Sequence, residues 1–125
     1  MSNEISDQFD LQIIISTGPD TPGRAIVGHS MAASAAAMGL RVLMFLAYDG
    51  AEWGTTRLSN REDVGDVEDL INHQLSILEA DGRIEVCSAC GERLLREGVK
   101  LRPGVELGGL TSVASRAIAT QTVSF

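Results

Sequence analysis

The strongest constraint on the fold is a pair of short runs that are apolar at almost every position. The first is DLQIIIS, from Asp10, and the second is RVLMFLA, which ends at Ala47. Strands with one solvated face alternate apolar and polar residues, whereas strands buried on both faces do not. An alanine-rich helical segment, RAIVGHSMAASAAAMG, separates the two runs and is closed by Gly39. This order of elements predicts a parallel sheet with helices on both faces.

The rest of the chain continues the alternation of helices and strands. A second helix is expected to start near Asp66 and to end at Gly82, with these apolar positions at helical spacing: Val67, Leu70, Ile71, Leu75 and Leu78. Then follow the strand RIEVC, a short helix ACGERLLRE closed by Gly98, the strand GVELGG, the helix LTSVASRAIA and the last strand TQTVSF. We therefore predict a three-layer α/β/α fold with a mainly parallel five-stranded sheet. Residues 10–125 form one domain behind a flexible segment, 1–9.

Composition excludes several classes of partner. The chain of 125 residues carries 17 acidic and 10 basic side chains, a net charge of −7. Such a charge repels phosphate backbones and anionic lipid, so neither nucleic acid nor a membrane surface is an expected partner. No stretch is long and apolar enough to span a membrane, and the first residues lack the basic start of an export signal. We expect a cytoplasmic protein, in which two cysteines are reactive rather than a disulfide scaffold.

The sharpest chemical feature is the segment CSAC, which runs from Cys87 to Cys90 where the third strand meets a helix. Ligands in parallel sheets bind beyond the carboxyl ends of the strands, so loops 17–24, 48–61 and 87–91 should meet there. Cys90 falls in the first helical turn, where free backbone N–H groups favour an anion, and Arg93 lies one turn onward. We expect a lowered pKa for its thiol, with Glu92 opposing the effect. The alternative is that both cysteines are small buried hydrophobes.

Cys87 has two possible orientations at the end of its strand. If it faces Cys90, the two thiols can form a reversible disulfide, or one cysteine can resolve a persulfide held on the other. If it faces the core, it contributes only to packing. The sequence leaves both open.

Other candidate groups give weaker signals. A zinc site needs four ligands, and His29 and His73 each lie alone on a helix, so no metal is expected. The loop STGPDTPG is distantly similar to the phosphate loop of flavodoxins, but Pro19 lacks a donor and Asp20 adds negative charge. Tyr48 and Trp53 lie in the second loop, where they suit either flanking a flavin ring or, for the tryptophan, anchoring an interface.

The order and spacing of these segments resemble the DsrE/DsrF-like family, which includes TusD and YchN-like proteins. The similarity covers an apolar strand, a polar loop, an Ala-rich helix ending in MGLRVLMFLAYDG, a cysteine after the third strand, GVELGG, and a final helix and strand. Family members place the reactive cysteine eight residues before the glycine that closes the short helix. Cys90 and Gly98 have that spacing, whereas Cys87 is eleven residues away. The resemblance assigns the persulfide to Cys90 and no universal role to Cys87.

The resemblance implies a sulfur-relay protein, either a sulfurtransferase or a persulfide carrier, that needs no cofactor. It further implies a homotrimer or a hexamer, with subunit contacts through the small-residue helix and the Trp53 loop, and sulfur exchange with a TusA-like carrier or another thiol protein. Two alternatives stay open. One is a dithiol/disulfide redox protein that cycles Cys87 and Cys90, and the other is a non-catalytic, flavodoxin-like binding subunit.

Overall fold

A parallel sheet of five strands organises the chain in the computed structural model, which describes residues 8–62, 64–65 and 67–125. Every strand pair is parallel, and the order across the sheet is β4-β3-β2-β1-β5. The strands are β1 (Leu11–Ile15), β2 (Val42–Leu46), β3 (Arg83–Cys87), β4 (Val105–Gly108) and β5 (Gln121–Ser124). The predicted fold class is confirmed, and the central strand β2 is buried at every position, as its sequence indicates.

Four α-helices connect the strands: α1 (Gly23–Ala37), α2 (Val67–Glu79), α3 (Ser88–Arg96) and α4 (Leu110–Ala119). The expected start of the second helix, Asp66, lies outside the described residues. The second loop is not a plain polar loop, because it contains two 3-10 helices, Tyr48–Gly54 and Leu58–Asn60. In the described part of the chain, no helix is both long and apolar enough to cross a membrane.

One face of the sheet carries the main core. Ile13, Met44 and Val86 point to this face and pack against α1, α2 and the Leu94 side chain of α3. The buried residues of α1 are nearly all small, including four alanines, so this helix approaches the sheet closely. Burial of these apolar side chains is the main favourable contribution to folding.

The opposite face is covered differently, by helix α4 and a group of polar side chains. Val113 is the buried residue of α4, and it packs with Phe45 in a second, smaller core. Beside it, the Arg116 guanidinium donates to the buried Gln12 (Nε to Oε1, 2.9 Å) and to the buried Glu85 (Nη2 to Oε1, 3.1 Å). An ion pair and an amide therefore take the place of apolar contacts on this face.

The N-terminal end of the domain also contributes to the second core. Phe9, assigned from the sequence to the flexible segment, is buried there, and the Arg41 guanidinium carbon lies 4.4 Å from the centre of its ring. The backbone N–H of Arg41 donates to the Asp10 carboxylate (2.7 Å). The rest of that segment, residues 1–7, lies outside the described residues.

Glycines end two of the helices as the sequence predicts. Gly39 and Gly98 have φ angles of +88° and +87°, in the left-handed region that glycine tolerates best. The prediction for Gly82 is wrong, because Asp81 is the left-handed residue there, with φ +61°. Gly82 is needed for a different reason: a Cβ atom at this position would lie 2.5 Å from the Ile77 carbonyl oxygen.

The buried face of α2 differs from the predicted one at a single position. Leu75 is 45% exposed, so its assignment to the core is wrong. Gln74, one residue earlier, points inward instead of Leu75. Ile77 is fully buried as well. The sequence conceals this because the inward residue is polar, and its amide is needed by the site described next.

Candidate functional site

The three predicted loops meet beyond the carboxyl ends of β1, β2 and β3. The first loop lies directly on the second, since a Cβ atom on Gly18 would be 2.5 Å from the Asp49 carbonyl oxygen. The indole N–H of Trp53 donates to the Thr17 carbonyl (2.6 Å), which joins the same two loops. The side chain of Trp53 is fully buried, so its expected roles beside a flavin ring or at a subunit interface are wrong.

A buried polar chain holds the second loop against helices α1 and α2. Gln74 donates from Nε2 to the Trp53 carbonyl (2.9 Å), and the same nitrogen lies 3.1 Å from Nε2 of His29. His29 Nδ1 is 2.8 Å from the Ala25 carbonyl, which can only accept. The imidazole therefore carries its proton on Nδ1 and accepts from Gln74 on Nε2.

Both ring nitrogens of His29 are used within the protein, so this histidine has a structural role. Burial lowers the pKa of His29 to about 4, because the charged imidazolium would lose its hydration. His73 is half-buried on α2. Neither histidine lies among the residues that line the cavity at the cysteine.

Cys90 lies at the floor of an open cavity of about 310 Å³. It is the third residue of α3 and is partly buried. The other lining residues are Tyr48 and Asp49 from the second loop and Ala89 and Arg93 from α3. The sequence thus predicts correctly that the second loop and the start of this helix face each other.

Tyr48 has an unusual backbone conformation at this cavity. Its φ angle is +54°, in the left-handed region that a bulky side chain rarely adopts. Its backbone N–H acts on the Cys90 sulfur and favours the thiolate, and its ring is 72% exposed at the cavity rim. Strained backbone of this kind concentrates at functional sites, where it orients a group that the chemistry needs.

The pKa of the Cys90 thiol is raised, so the predicted lowering is wrong. Burial is the largest cause, because it penalises the thiolate. The Tyr48 N–H acts in the opposite direction, Cys87 raises the pKa further, and Arg93 lowers it slightly. The Arg93 charge does lower the pKa as expected, but burial and the neighbouring Cys87 thiol outweigh it.

Cys87 combines the two orientations that the sequence leaves open. Its side chain is buried in the second core with Leu43, Phe45 and Val113. Cys90 packs against the same cluster, and the interaction between the two thiols favours the protonated state of Cys90. The two cysteines are both free thiols and are in contact.

A second, polar cavity of about 260 Å³ adjoins the first and shares Tyr48, Asp49 and Arg93 with it. Asp20 of the first loop lines it as well. The Glu52 carboxylate in its wall is paired with Arg61 (Nη2 to Oε2, 2.6 Å), so these charges largely satisfy each other. Neither residue stands out in the sequence, since an arginine and a glutamate nine residues apart in a loop form no recognisable pattern.

Comparison with known proteins gives three findings. The model of the DsrE/DsrF-like family matches residues 10–123. The crystal structure of the ychN protein from E. coli has a TM-score of 0.77 and 16% sequence identity, covering 94% of this chain and 100% of that one. A conserved protein of unknown function from Bacteroides thetaiotaomicron, BT1422, has a TM-score of 0.55 and 14% identity, covering 93% and 95%. No curated protein matches the sequence.

Proposed function

This chain belongs to the DsrE/DsrF-like family, and on that premise we propose that it is a sulfur-relay protein that carries sulfane sulfur as a persulfide on Cys90. The observation that best supports this is the position of the thiol. Cys90 lies on the floor of an open cavity, within reach of the Tyr48 N–H and beside the Arg93 charge. Both groups favour negative charge on sulfur, which develops during transfer.

The chemistry requires no organic cofactor. The Cys90 thiolate attacks the outer sulfur of a donor persulfide, R–S–SH, and forms a new sulfur–sulfur bond. The bond between the two donor sulfurs breaks, and its electron pair leaves with the inner sulfur as the thiolate R–S⁻. The products are the Cys90 persulfide, which keeps the proton of the outer sulfur, and the donor thiolate, so that atoms and charge balance.

The raised pKa of Cys90 has a consequence for this step. At neutral pH most of the protein holds the protonated thiol, which is not the nucleophile. Transfer is therefore expected to accelerate as the pH rises above neutrality. A positive charge or an N–H group near the sulfur, such as those of Arg93 and Tyr48, increases the fraction of Cys90 that is present as thiolate.

The direct test is mass spectrometry of the intact protein after exposure to inorganic polysulfide. We expect the wild type to gain the mass of one sulfur atom, with the adduct mapped to Cys90 after digestion. Cys87→Ala is the matched control, since it removes the other thiol and should keep the adduct. An unchanged adduct in Cys90→Ser would refute the assignment.

A second role is favoured by the contact between the two thiols. Cys87 can attack the inner sulfur of the Cys90 persulfide, giving the disulfide between the two cysteines and releasing the outer sulfur as H₂S. The sulfane sulfur is reduced in this step and the two cysteine sulfurs are oxidised. We expect the persulfide of Cys87→Ala to survive longer than that of the wild type. Equal lifetimes would leave Cys87 with a packing role.

The proposal extends to partners and location. A cytoplasmic homotrimer or hexamer that exchanges sulfur with a TusA-like carrier is consistent with apolar side chains left on the surface. Ile118 of α4 is 90% exposed, and Leu110 is exposed on the same helix. Sedimentation of the wild type and of Ile118→Asp tests this: dissociation of the variant supports an interface at α4, and a monomeric wild type excludes the oligomer.

A further inference from the structure

Two opposite charges flank Cys90 without pairing. Asp49 and Arg93 both line its cavity and are both exposed. Among the residues that the structure describes, neither one makes a hydrogen bond or an ion pair through its side chain. The arginines deeper in the adjoining cavity differ, because Arg57 and Arg61 are both paired with glutamates there. The charges available to a ligand at the sulfur are therefore one carboxylate and one guanidinium.

The balance of charge argues against a purely anionic ligand. A sulfur oxyanion or a polysulfide anion would meet Arg93, but it would also meet Asp49 and, in the adjoining cavity, Asp20. It would further approach a chain whose net charge is −7. A zwitterion avoids this repulsion, because its ammonium and carboxylate groups can each lie beside a charge of opposite sign.

Resting on the function proposed above, we infer that Asp49 and Arg93 bind the α-ammonium and α-carboxylate groups of an amino-acid persulfide, so that its outer sulfur is presented to Cys90. The chemical class of the donor is a free cysteine persulfide. Within glutathione the amino and carboxyl groups of the cysteine form amide bonds and carry no charge. They therefore cannot pair with Asp49 and Arg93. The transfer step is the one written above, with cysteine as the leaving thiolate.

The experiment compares three persulfide donors that differ in which charged groups they carry. Cysteine persulfide carries both groups, N-acetylcysteine persulfide lacks the ammonium group, and cysteamine persulfide lacks the carboxylate. The measured quantity is the rate at which each donor loads Cys90, followed by mass spectrometry. Ratios between donors are compared within each variant, because any change in the reactivity of the thiol itself affects all three donors and cancels.

The wild type is expected to react with cysteine persulfide about fivefold faster than with either analogue, near the upper end for an exposed ion pair. Asp49→Asn should remove the preference over N-acetylcysteine persulfide, and Arg93→Gln the preference over cysteamine persulfide. Asp69→Asn on α2 and Arg96→Gln on α3 are matched controls at exposed positions, and they should keep both preferences.

Two results would overturn the inference, and they are distinguishable. Equal loading of wild-type Cys90 by all three donors, or faster loading by the analogues, removes the role of Asp49 and Arg93 but leaves the persulfide function intact. No loading of Cys90 by any donor, with inorganic polysulfide included, removes the proposed function and this inference with it.

Discussion

Protonation of the buried His29 should set the acid sensitivity of the fold. Its pKa is lowered from 6.5 to about 4 by burial, while the unfolded chain exposes the same imidazole to water. Between these two pH values the unfolded chain binds more protons than the folded one, so the free energy of unfolding must decrease as the pH falls. This contribution to stability is fully present above pH 6.5, the pKa of the imidazole in the unfolded chain. It is lost as the pH falls to about 4, the pKa in the folded protein.

The magnitude follows from the size of the shift. One pKa unit corresponds to about 1.4 kcal/mol, so a shift from 6.5 to about 4 gives a total loss of about 3 kcal/mol. Roughly three quarters of it is reached by a pH of about 4.5, where the unfolded imidazole is almost fully charged. This is a large part of the net stability of a small domain, which is typically about 5 to 15 kcal/mol.

The assay is urea-induced unfolding of the wild type and of His29→Asn at a series of pH values. The asparagine amide can still donate to the Ala25 carbonyl, but it does not titrate. The variant is expected to be less stable near neutral pH, because it loses the contact with Gln74, and to lose less stability on acidification. The difference in pH dependence between the two proteins isolates the histidine from the carboxylates that titrate in both.

His73→Asn is the matched control, because it removes the other histidine and should retain most of the pH dependence. The reasoning is refuted if His29→Asn and the wild type lose the same free energy of unfolding between neutral pH and pH of about 4.5. In that case the imidazolium would be accommodated in the folded protein, and the buried chain through Gln74 to Trp53 would not resist protonation.

Substitutions at Glu85, Tyr48 and Trp53 test other parts of the structure. Glu85→Gln leaves the Arg116 guanidinium without its anion and should cost on the order of 3 kcal/mol in urea unfolding. Glu106→Gln on the neighbouring strand is the exposed control, and equal small losses would contradict the buried ion pair. Tyr48→Val disfavours the left-handed backbone, whereas Tyr48→Gly tolerates it, so alkylation of Cys90 at fixed pH should be several-fold slower in the valine variant. Similar rates in the two variants would remove the role of the Tyr48 N–H. Trp53→Phe loses the hydrogen bond to the first loop and should cost about 1 to 2 kcal/mol, so an unchanged free energy of unfolding would argue against that link.

Much of the fold could be predicted from the sequence because strands β1 and β2 are almost entirely apolar. The apolar runs around β1 and β2 are too short for buried helices and therefore indicate strands. Gly39 and Gly98 end helices because the residue there adopts a left-handed conformation, which glycine tolerates best. The meeting of the three loops followed as well, since the carboxyl ends of parallel strands lie at one edge of the sheet.

Two of the errors, at Gln74 and at Cys90, share a physical cause: they concern polar groups whose state depends on distant neighbours. Gln74 is buried because it binds His29 and the Trp53 backbone. A prediction of the buried helix face from its apolar residues alone does not include this glutamine. The pKa of Cys90 has the opposite sign from the expectation, because burial and Cys87 act on it from outside its own helix. The left-handed conformation of Tyr48 has no signal in the sequence, since a bulky residue there is disfavoured.

The protonated state of Cys90 also bears on how readily oxidants damage it. Peroxides oxidise thiolates far faster than thiols, and oxidation beyond the sulfenic acid is generally irreversible. A site that relied on a permanently ionised cysteine would be damaged by passing oxidants. Because its thiol is mostly protonated at neutral pH, Cys90 is a poor target for peroxides, and Cys87 beside it can trap a sulfenic acid as a reducible disulfide.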